Sequence, residues 1–452
     1  MLNLDALTQM IERREVDTVL VCAVDMQGRL VGKRVTGSFF LEEVLAEGIN
    51  ACDYLLTVDL DMHPVPGYSA ASWDLGYGDF EIRPDISTLC LVPWLPATAL
   101  VLGDSVDGSG ELLPHAPRSI LKRQIVRLAE AGYVAKIGSE LEFYLFQDTY
   151  RTARSKRYHG LRTSGTAIQD YSILSTSRDE TIVRTIRNTM NEMGIPVESS
   201  KGEWGPGQQE INLRFTHALQ MADRHVVYKH AVKEIAHLHH GAVTFMAKWQ
   251  EGSAGNSFHI HSSLWDASSD APLAPDETGA HGMSQLFRSY LAGQLAIAPE
   301  MTLFLAPYVN SYKRYREASF APTRISWGLD NRTAAFRVVG GGPSLRAECR
   351  IPGADANPYL TFAVTIAAGL HGIENKLELC EPARGNAYRD RGTPALPNTL
   401  GDALRLAERS EVLRQALGEG VIEHYLHAAR WEELEFSRAV TDWERARYFE
   451  RV

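Results

Sequence analysis

The stretch GSELEFYLF, residues 138–146, alternates apolar and polar side chains with the period of two that is typical of a β-strand. Its apolar members share one face, and Glu140 and Glu142 share the other. Two carboxylates two residues apart repel each other unless a cation lies between them. The pattern therefore predicts a strand whose polar face either does chemistry or is simply solvated.

Two further stretches follow the same alternation. The strands FHIHSSLW at 258–265 and SLRAECRIPG at 344–353 carry on their polar faces, respectively, His259 and His261, and Arg346, Glu348 and Arg350. A solvated face explains most single strands of this kind, because antiparallel sheets often expose one side to water. Three strands that carry acid–acid, His–His and Arg–Glu–Arg sets favour one shared funnel instead.

An acidic bend adds further carboxylates. KGEWGPGQQEINLRF, residues 201–215, carries Glu203 and Glu210 on either side of a Gly- and Pro-rich turn. The alternative for this segment is an acidic surface loop. Hard carboxylate oxygens with an imidazole suit Mg²⁺ or Mn²⁺ better than structural zinc. Together with the strands, the bend predicts a divalent-cation site.

The chain also groups arginines in this region, at Arg332, Arg337, Arg346 and Arg350. Guanidinium forks bind phosphate and carboxylate oxygens. Because Arg332 and Arg337 are five residues apart, a bend or loop has to bring them together. Carboxylate-bound cations beside arginines are typical of phosphoryl transfer from a nucleotide. The chain has no GxxxxGK[ST] loop and no GxGxxG, so P-loop and Rossmann folds are excluded.

Composition sets the broad class. The chain has 452 residues, a formal net charge of −10 and 44% hydrophobic residues, so it suits a large folded protein and argues against non-specific nucleic-acid binding. The first residues carry charges where a signal peptide would need an apolar run. Five cysteines stand far apart without a CxxC, which fits neither a disulfide framework nor a zinc ribbon. We expect a cytoplasmic enzyme without a membrane span.

The organisation changes along the chain. Short β-rich runs dominate the first hundred residues, and the turn-rich stretch 103–117 is the best candidate for a domain boundary. Beyond it, amphipathic helices are predicted around 121–128, 182–193, 219–240, 283–297, 359–376 and 402–417, and strands at 138–146, 210–215, 243–249, 258–265, 334–339 and 345–351. Helices that alternate with isolated, mainly antiparallel strands indicate an α+β protein.

In this order, the motifs resemble those of the glutamine synthetase superfamily, from about residue 18 to the C-terminus. The motifs that carry the resemblance are GSELEFYLF (138–146), EWGPGQQE (203–210), FMAKW (245–249), FHIHSSL (258–264), NSYKR (310–314), Asn331–Arg332, RAECR (346–350) and ANPYL (356–360). The resemblance implies an N-terminal β-grasp domain at 1–105 and a large catalytic domain at 106–452 whose antiparallel strands line an active-site funnel. It also implies stacked rings of subunits, as in a dodecamer, with each site closed by a neighbour's β-grasp domain.

The resemblance implies an ATP-dependent reaction in which glutamate is phosphorylated on its γ-carboxyl and an amine then attacks. The family's roles fall on matching positions in four sets. The implied metal ligands, for two or three Mg²⁺ or Mn²⁺ ions, are Glu142, Glu203 and Glu210 nearer the glutamate, and Glu140, His259 and Glu348 nearer the ATP phosphates. The implied catalytic residues are Arg332, Arg337 and Arg346, of which Arg337 and Arg346 also bind the nucleotide together with His261. The implied substrate-binding residues are Gly255, Arg314, Arg350 and Phe320.

Departures from the family pattern bear on the nucleophile. Ammonia-using members carry a Glu six residues after the NSYKR arginine, and this chain carries Phe320 there. The position of the family's glutamate-binding Asn is Ala254. The family's second ammonium-binding acid cannot be assigned, and Asp59 and Asp61 are candidates; Glu317 could replace the missing Glu, although a solvated loop acid fits it better.

These departures lead to three hypotheses. The first is a glutamate–amine ligase that uses a polyamine or a small monoamine such as ethanolamine. The second is a true glutamine synthetase that uses ammonia. The third is a catalytically silent ring that acts as a scaffold or regulator, although such a ring has no need for six mutually repelling metal-ligand positions. Tyr388, in the loop whose tyrosine is adenylylated in some relatives, is treated as an ordinary loop residue.

Overall fold

A computed structural model describes residues 2–452. The strands, in chain order, are β1 (Thr18–Val24), β2 (Leu30–Thr36), β3 (Ile49–Cys52), β4 (Asp79–Pro84), β5 (Cys90–Leu91), β6 (Thr98–Val106), β7 (Tyr133–Phe146), β8 (Val197–Gly202), β9 (Gln208–His217), β10 (Ala242–Thr244), β11 (Phe258–Asp266), β12 (Trp327–Leu329), β13 (Phe336–Val339) and β14 (Arg346–Cys349).

The chain also forms α-helices, and a π-helical stretch at Phe40–Val44 joins the two short ones at Gly37–Phe39 and Leu45–Glu47. In chain order they are α1 (Leu4–Glu12), α2 (Gly37–Phe39), α3 (Leu45–Glu47), α4 (Pro117–Glu130), α5 (Tyr150–Ser155), α6 (Ile173–Thr176), α7 (Glu180–Glu192), α8 (Ala218–Leu238), α9 (Gln285–Leu305), α10 (Pro358–Glu374), α11 (Leu400–Glu408), α12 (Glu411–Leu417), α13 (Glu419–Arg438) and α14 (Asp442–Tyr448). Within residues 2–452, no helix is both long and apolar enough to cross a membrane.

Residues 2–452 form two sheets. The first has the order β2-β1-β6-β4-β3, with β5 paired to β6, and only its β1–β6 pairing is parallel. The second has the order β12-β13-β14-β11-β7-β9-β8, with β10 paired to β7, and only its β12–β13 pairing is parallel. The mixed helix-and-sheet class and the mainly antiparallel pairing are as predicted.

Helices cover the apolar face of the second sheet. The helix α10 is buried along nearly its whole length, as expected for a helix that is hydrophobic all round. It approaches α9 closely because glycine stands at the crossing: a Cβ on Gly293 would lie 2.1 Å from the carbonyl oxygen of Ala368. Any larger side chain there would force these two helices apart, so the glycine fixes the packing behind the sheet.

A buried arginine links the first sheet to the helices. The guanidinium of Arg118, on α4, contacts Asp104 on β6, lies 2.6 Å from Asp85 just after β4, and lies 3.0 Å from Asp223 on α8. Three carboxylates around one buried guanidinium compensate its desolvation. This ion-pair cluster fixes the position of the first sheet relative to α8.

Two predicted elements are wrong in extent. The predicted helix 402–417 is interrupted at Ser410, whose side chain accepts the Leu413 N–H and so starts α12 as an N-cap. The predicted strand 243–249 ends at Thr244. Beyond that point side chains satisfy the backbone instead: Asn256 donates to the carbonyl of Met246, and the amide of Lys248 donates to Asn310.

Candidate active site

Strand register brings the predicted polar faces together. Glu142 on β7 stands opposite Glu210 on β9, and Glu140 stands opposite His259 on β11. Further along the sheet, Glu348 on β14 faces both His261 on β11 and Arg337 on β13. The alternation that sends apolar side chains to the helices therefore collects acids, imidazoles and guanidiniums on the other face.

These residues line a cavity of about 320 Å³, which we call the acidic cavity. It is lined by all six predicted metal ligands and by Gly255, Arg314, Phe320, Arg332, Arg337 and Arg350. The other two predicted site residues, His261 and Arg346, line a second cavity of about 260 Å³, the adjoining cavity. The two cavities share Glu140 and Asn212.

One carboxylate group matches the predicted trio nearer the glutamate. Glu142, Glu203 and Glu210 each offer an oxygen within 4.8 Å of the others. Burial, and then repulsion from Glu203, raises the pKa of Glu142 to about 8 and raises the pKa of Glu210 well above its ordinary value. Buried carboxyls that repel one another in this way are a donor set that a hard divalent cation fits.

The predicted second trio surrounds a histidine but is divided between two convergent groups, one of Glu140, Glu210 and His259 and the other of Glu140, His261 and Glu348. Nδ1 of His259 lies 3.3 Å from Glu140 Oε2 and 3.5 Å from Glu348 Oε1. The other oxygen of Glu140 lies 2.8 Å from Nε2 of His261, so this second histidine joins the same cluster. Burial opposes ionisation of Glu140, but its close contacts with the two histidines outweigh it and hold its pKa far below the ordinary value.

Two arginines contact the Glu348 carboxylate, each at a different oxygen. Arg337 donates to one Glu348 oxygen at 2.8 Å, and Arg350 contacts the other. Burial raises the pKa of Glu348, but the charge of Arg350 and then that of His259 lower it to about 2. The carboxylate is therefore ionised at neutral pH.

Two buried guanidinium groups keep donors free for an anion. Among the described residues, Nε of Arg314 and Nε of Arg350 are buried and have no hydrogen-bond partner. Gly255 lets Arg314 reach this position, because a Cβ on that residue would lie 2.4 Å from the Arg314 side chain. Unpaired buried donors beside a cavity fit a carboxylate or phosphate ligand.

Aromatic side chains form the other part of the acidic-cavity wall. Phe320 and Trp204 are each 51% exposed, and their ring centroids lie 6.4 Å apart. Phe320 has a φ of +60°, which is uncommon for a residue other than glycine. The described residues that line the acidic cavity include neither Asp59, Asp61 nor Glu317. Asp59 instead accepts the amide of Asp61 in a turn.

Sequence reasoning missed several residues of both cavities. Asp170, Tyr171 and Lys201 line the acidic cavity, and Phe215 and Trp265 stack at 6.4 Å in the adjoining cavity. The only available signals were the position of Lys201, two residues before Glu203, and large aromatic residues near strand ends. Neither signal predicts which cavity a side chain will line.

Comparisons with known proteins identify the family. The family described as glutamine synthetase, catalytic domain, matches residues 114–448, and the chain belongs to it. The chain is 49% identical to the γ-glutamylethanolamide synthetase GlnA4 of Streptomyces coelicolor, over 100% of this chain and 96% of that protein. It is 38% identical to a glutamate–isopropylamine ligase of a Pseudomonas species, over 98% of this chain and 97% of that protein.

A solved structure shows the same fold. The GmaS/ADP complex superimposes with a TM-score of 0.86 at 27% identity, covering 98% of this chain and 99% of that one. These matches confirm the predicted resemblance to the glutamine synthetase superfamily and to its glutamate–amine ligase branch.

Proposed function

We propose that this chain is an ATP-dependent ligase that joins the γ-carboxyl of glutamate, through γ-glutamyl phosphate, to an organic amine. The observation that carries the proposal is the acidic cavity, where carboxylate groups and arginines meet an aromatic wall formed by Trp204 and Phe320. The relatives that make γ-glutamylethanolamide and that ligate isopropylamine support an amine as the nucleophile.

The carboxylates would hold divalent cations, two or three per site and either Mg²⁺ or Mn²⁺. Glu142, Glu203 and Glu210 would form one set, and Glu140, His259 and Glu348 the other. When bound, such cations neutralise phosphate oxygens and orient the reacting groups. Because the pKa values of Glu142 and Glu210 are raised, protons compete with cations for these two carboxylates.

Arginines would stabilise charge on the transferred phosphoryl group. Arg332, Arg337 and Arg346 take this role, and they act best in a site that is preoriented and partly dry. Arg314 and Arg350 would bind the glutamate carboxylate and the acyl phosphate through their unpaired Nε donors.

The adjoining cavity would bind the nucleotide. Its wall carries Phe215 and Trp265, with the ammonium of Lys136 3.6 Å from the Trp265 ring centroid. Flat aromatic surfaces suit a purine base, and His261 and Arg346 lie on the same wall for its phosphates. The ADP held by the structural relative supports a nucleotide site in this fold.

The aromatic wall would select organic amines over ammonia. An ammonium ion is small and strongly hydrated, so its site needs an anionic ligand to offset desolvation. At position 320 the chain offers an apolar ring instead. An amine with methylene groups gains about 0.8 kcal/mol for each methylene that the ring removes from water.

The same proposal covers the architecture and the assembly. Residues 1–105 would form a β-grasp domain and residues 106–452 the catalytic domain with its strand-lined funnel, in stacked rings such as a dodecamer in the cytoplasm. Support comes from the first 105 residues: none of them lines the described acidic cavity, while Trp73 and Leu75 are 77% and 65% exposed. Such side chains suit a contact with a neighbouring subunit. Light scattering of the active enzyme tests this, since a 50 kDa active species would contradict it.

An amine panel tests the function. Phosphate release from ATP is measured with glutamate and each of ammonia, methylamine, ethanolamine, isopropylamine and putrescine, with and without Mg²⁺ or Mn²⁺. We expect an organic amine to give the highest kcat/KM. Ammonia as the best nucleophile would favour a glutamine synthetase, and no turnover with any nucleophile would favour a silent scaffold.

A further inference from the structure

One carboxylate of the acidic cavity has no place in the cation sets. The described acids that line this cavity are Glu140, Glu142, Asp170, Glu203, Glu210 and Glu348. Each of the five glutamates belongs to at least one group whose ligand atoms converge within 4.8 Å, and Asp170 belongs to none. Asp170 precedes Tyr171 and lies in the loop before α6. Asp170 is therefore a carboxylate of the acidic cavity that is available for a role other than cation binding.

The surroundings of Asp170 already hold an ammonium group of the chain itself. Nζ of Lys201 lies 3.7 Å from Asp170 Oδ1 and 4.6 Å from the ring centroid of Tyr171, and it also contacts Glu203. Lysine ends in a primary alkylammonium. This corner of the acidic cavity therefore has the anion and the aromatic face that bind R–CH₂–NH₃⁺.

The corner continues into the aromatic wall. Trp204 follows Glu203 directly in the chain, and its ring faces Phe320 at 6.4 Å. Asp170 keeps 32% of its side chain exposed, and among the described residues it accepts no hydrogen bond shorter than the 3.7 Å ion pair with Lys201. The Asp170 carboxylate is therefore accessible from the acidic cavity, and its contact with Lys201 is longer than a hydrogen bond.

We propose that Asp170 is the carboxylate that receives the incoming amine and takes its proton; this rests on the function proposed above. The amine arrives as R–NH₃⁺ and donates one proton to Asp170, which leaves a lone pair on nitrogen. That lone pair forms the C–N bond at the acyl carbon of γ-glutamyl phosphate. The C–O bond to phosphate breaks, phosphate leaves with the bonding electrons, and the second nitrogen proton passes to water.

The amine tail would then lie on Tyr171, Trp204 and Phe320. Rings of this kind cover a short alkyl chain and leave its far end at the cavity mouth, where Trp204 and Phe320 are half exposed. Primary alkylamines with a short tail are the class that fits.

The alternative is that Asp170 only positions Lys201. A comparison of two nucleophiles separates these roles in the Asp170→Asn variant of the full-length enzyme. Ethanolamine is protonated at neutral pH and must lose a proton before attack. Hydroxylamine is uncharged at neutral pH and needs no such step. Ethanolamine therefore requires a base before it attacks, and hydroxylamine does not.

We expect Asp170→Asn to lower kcat/KM for ethanolamine by about 100-fold or more, and for hydroxylamine by less than about fivefold, since general base catalysis contributes about 10²–10⁴-fold. The KM values for ATP and glutamate should not change. Asp170→Glu should recover part of the ethanolamine activity. Glu192→Gln, at the exposed end of α7, is the matched control and should behave as wild type.

Equal losses with both nucleophiles would assign Asp170 to the structure of the site and overturn the proposal, as would unchanged ethanolamine activity. These outcomes leave the proposed function intact as long as the wild-type enzyme uses an amine. A wild-type enzyme without amine-dependent phosphate release would overturn both proposals.

Discussion

Replacing Phe320 by Glu should move nucleophile preference from organic amines toward ammonia. The ring is 51% exposed, packs against Trp204 alone among the described aromatic rings, and lies on the wall of the acidic cavity. Its removal should therefore cost the fold little. The backbone contact at this position, from Arg350 to the Phe320 carbonyl at 3.4 Å, does not depend on the side chain.

The magnitude follows from the lost surface and the added charge. An amine that buries two methylenes on the ring loses about 1.6 kcal/mol when the ring is removed, at about 0.8 kcal/mol for each methylene. A carboxylate beside an ammonium ion contributes about 1 kcal/mol or more in a partly exposed site. The lost surface penalises only the organic amine, whereas the added charge attracts both protonated nucleophiles, so the ratio of kcat/KM for ethanolamine to that for ammonia should fall by about 10-fold or more.

The assay is initial-rate phosphate release with saturating ATP and glutamate and a varied nucleophile. Phe320→Leu is the control, because it keeps an apolar side chain without adding charge and should retain most of the preference for amines. A ratio that Phe320→Glu leaves within about twofold of wild type, which is less than about 0.4 kcal/mol, would refute this account of specificity.

Three further predictions concern the cations and the fold. Glu142→Gln should lower kcat by at least about 100-fold, since it removes a charged donor from the reacting groups; added Mn²⁺ that restores full turnover would contradict this. In cation-free enzyme the pKa of Glu142 is about 8 against an ordinary 4.5, so between these pH values the folded state holds a proton that the unfolded state has released. The free energy of unfolding should therefore fall as pH rises from 4.5 to about 8, and thermal melts of Glu142→Gln should show a weaker fall. Arg118→Met should lower the free energy of unfolding by about 3–5 kcal/mol in urea titrations, because it leaves the buried Asp223 and the partly buried Asp85 without a cation and leaves Asp104 with Lys122 alone. Arg405→Met, which removes an exposed ion pair with Asp402, should change that free energy by less than about 1 kcal/mol.

Alternation along single strands was enough to predict the polar face of the site. Glu140, Glu142, His259 and Glu348 could be chosen because each strand is read locally, two residues at a time. Their arrangement follows from register, and register is set by pairing between segments more than a hundred residues apart, as for His259 and Glu140. The sequence pattern therefore shows which side chains share one face of a strand, but it does not show which strands pair with each other.

Loop residues of the site had no such signal. Asp170 and Tyr171 lie between elements and have no periodicity, so nothing local distinguishes them from a solvated turn. The stacking of Phe215 on Trp265 joins the ends of two strands that both pair with β7. The interruption at Ser410 was missed for a different reason. A serine inside a long amphipathic pattern can either continue the helix or cap the start of a new one, and here Ser410 caps α12.

The position of Glu348 has a consequence for the order of events at the site. Its two oxygens are held by different guanidiniums, one by Arg337 and the other by Arg350, and His259 stands 3.5 Å away. A cation that claims either oxygen competes with an arginine, and the released arginine then lacks an anion. Affinity for cations and affinity for anions are therefore thermodynamically linked through one side chain, and such linkage is reciprocal: the factor by which a bound cation raises the affinity for an anion is also the factor by which the bound anion raises the affinity for the cation.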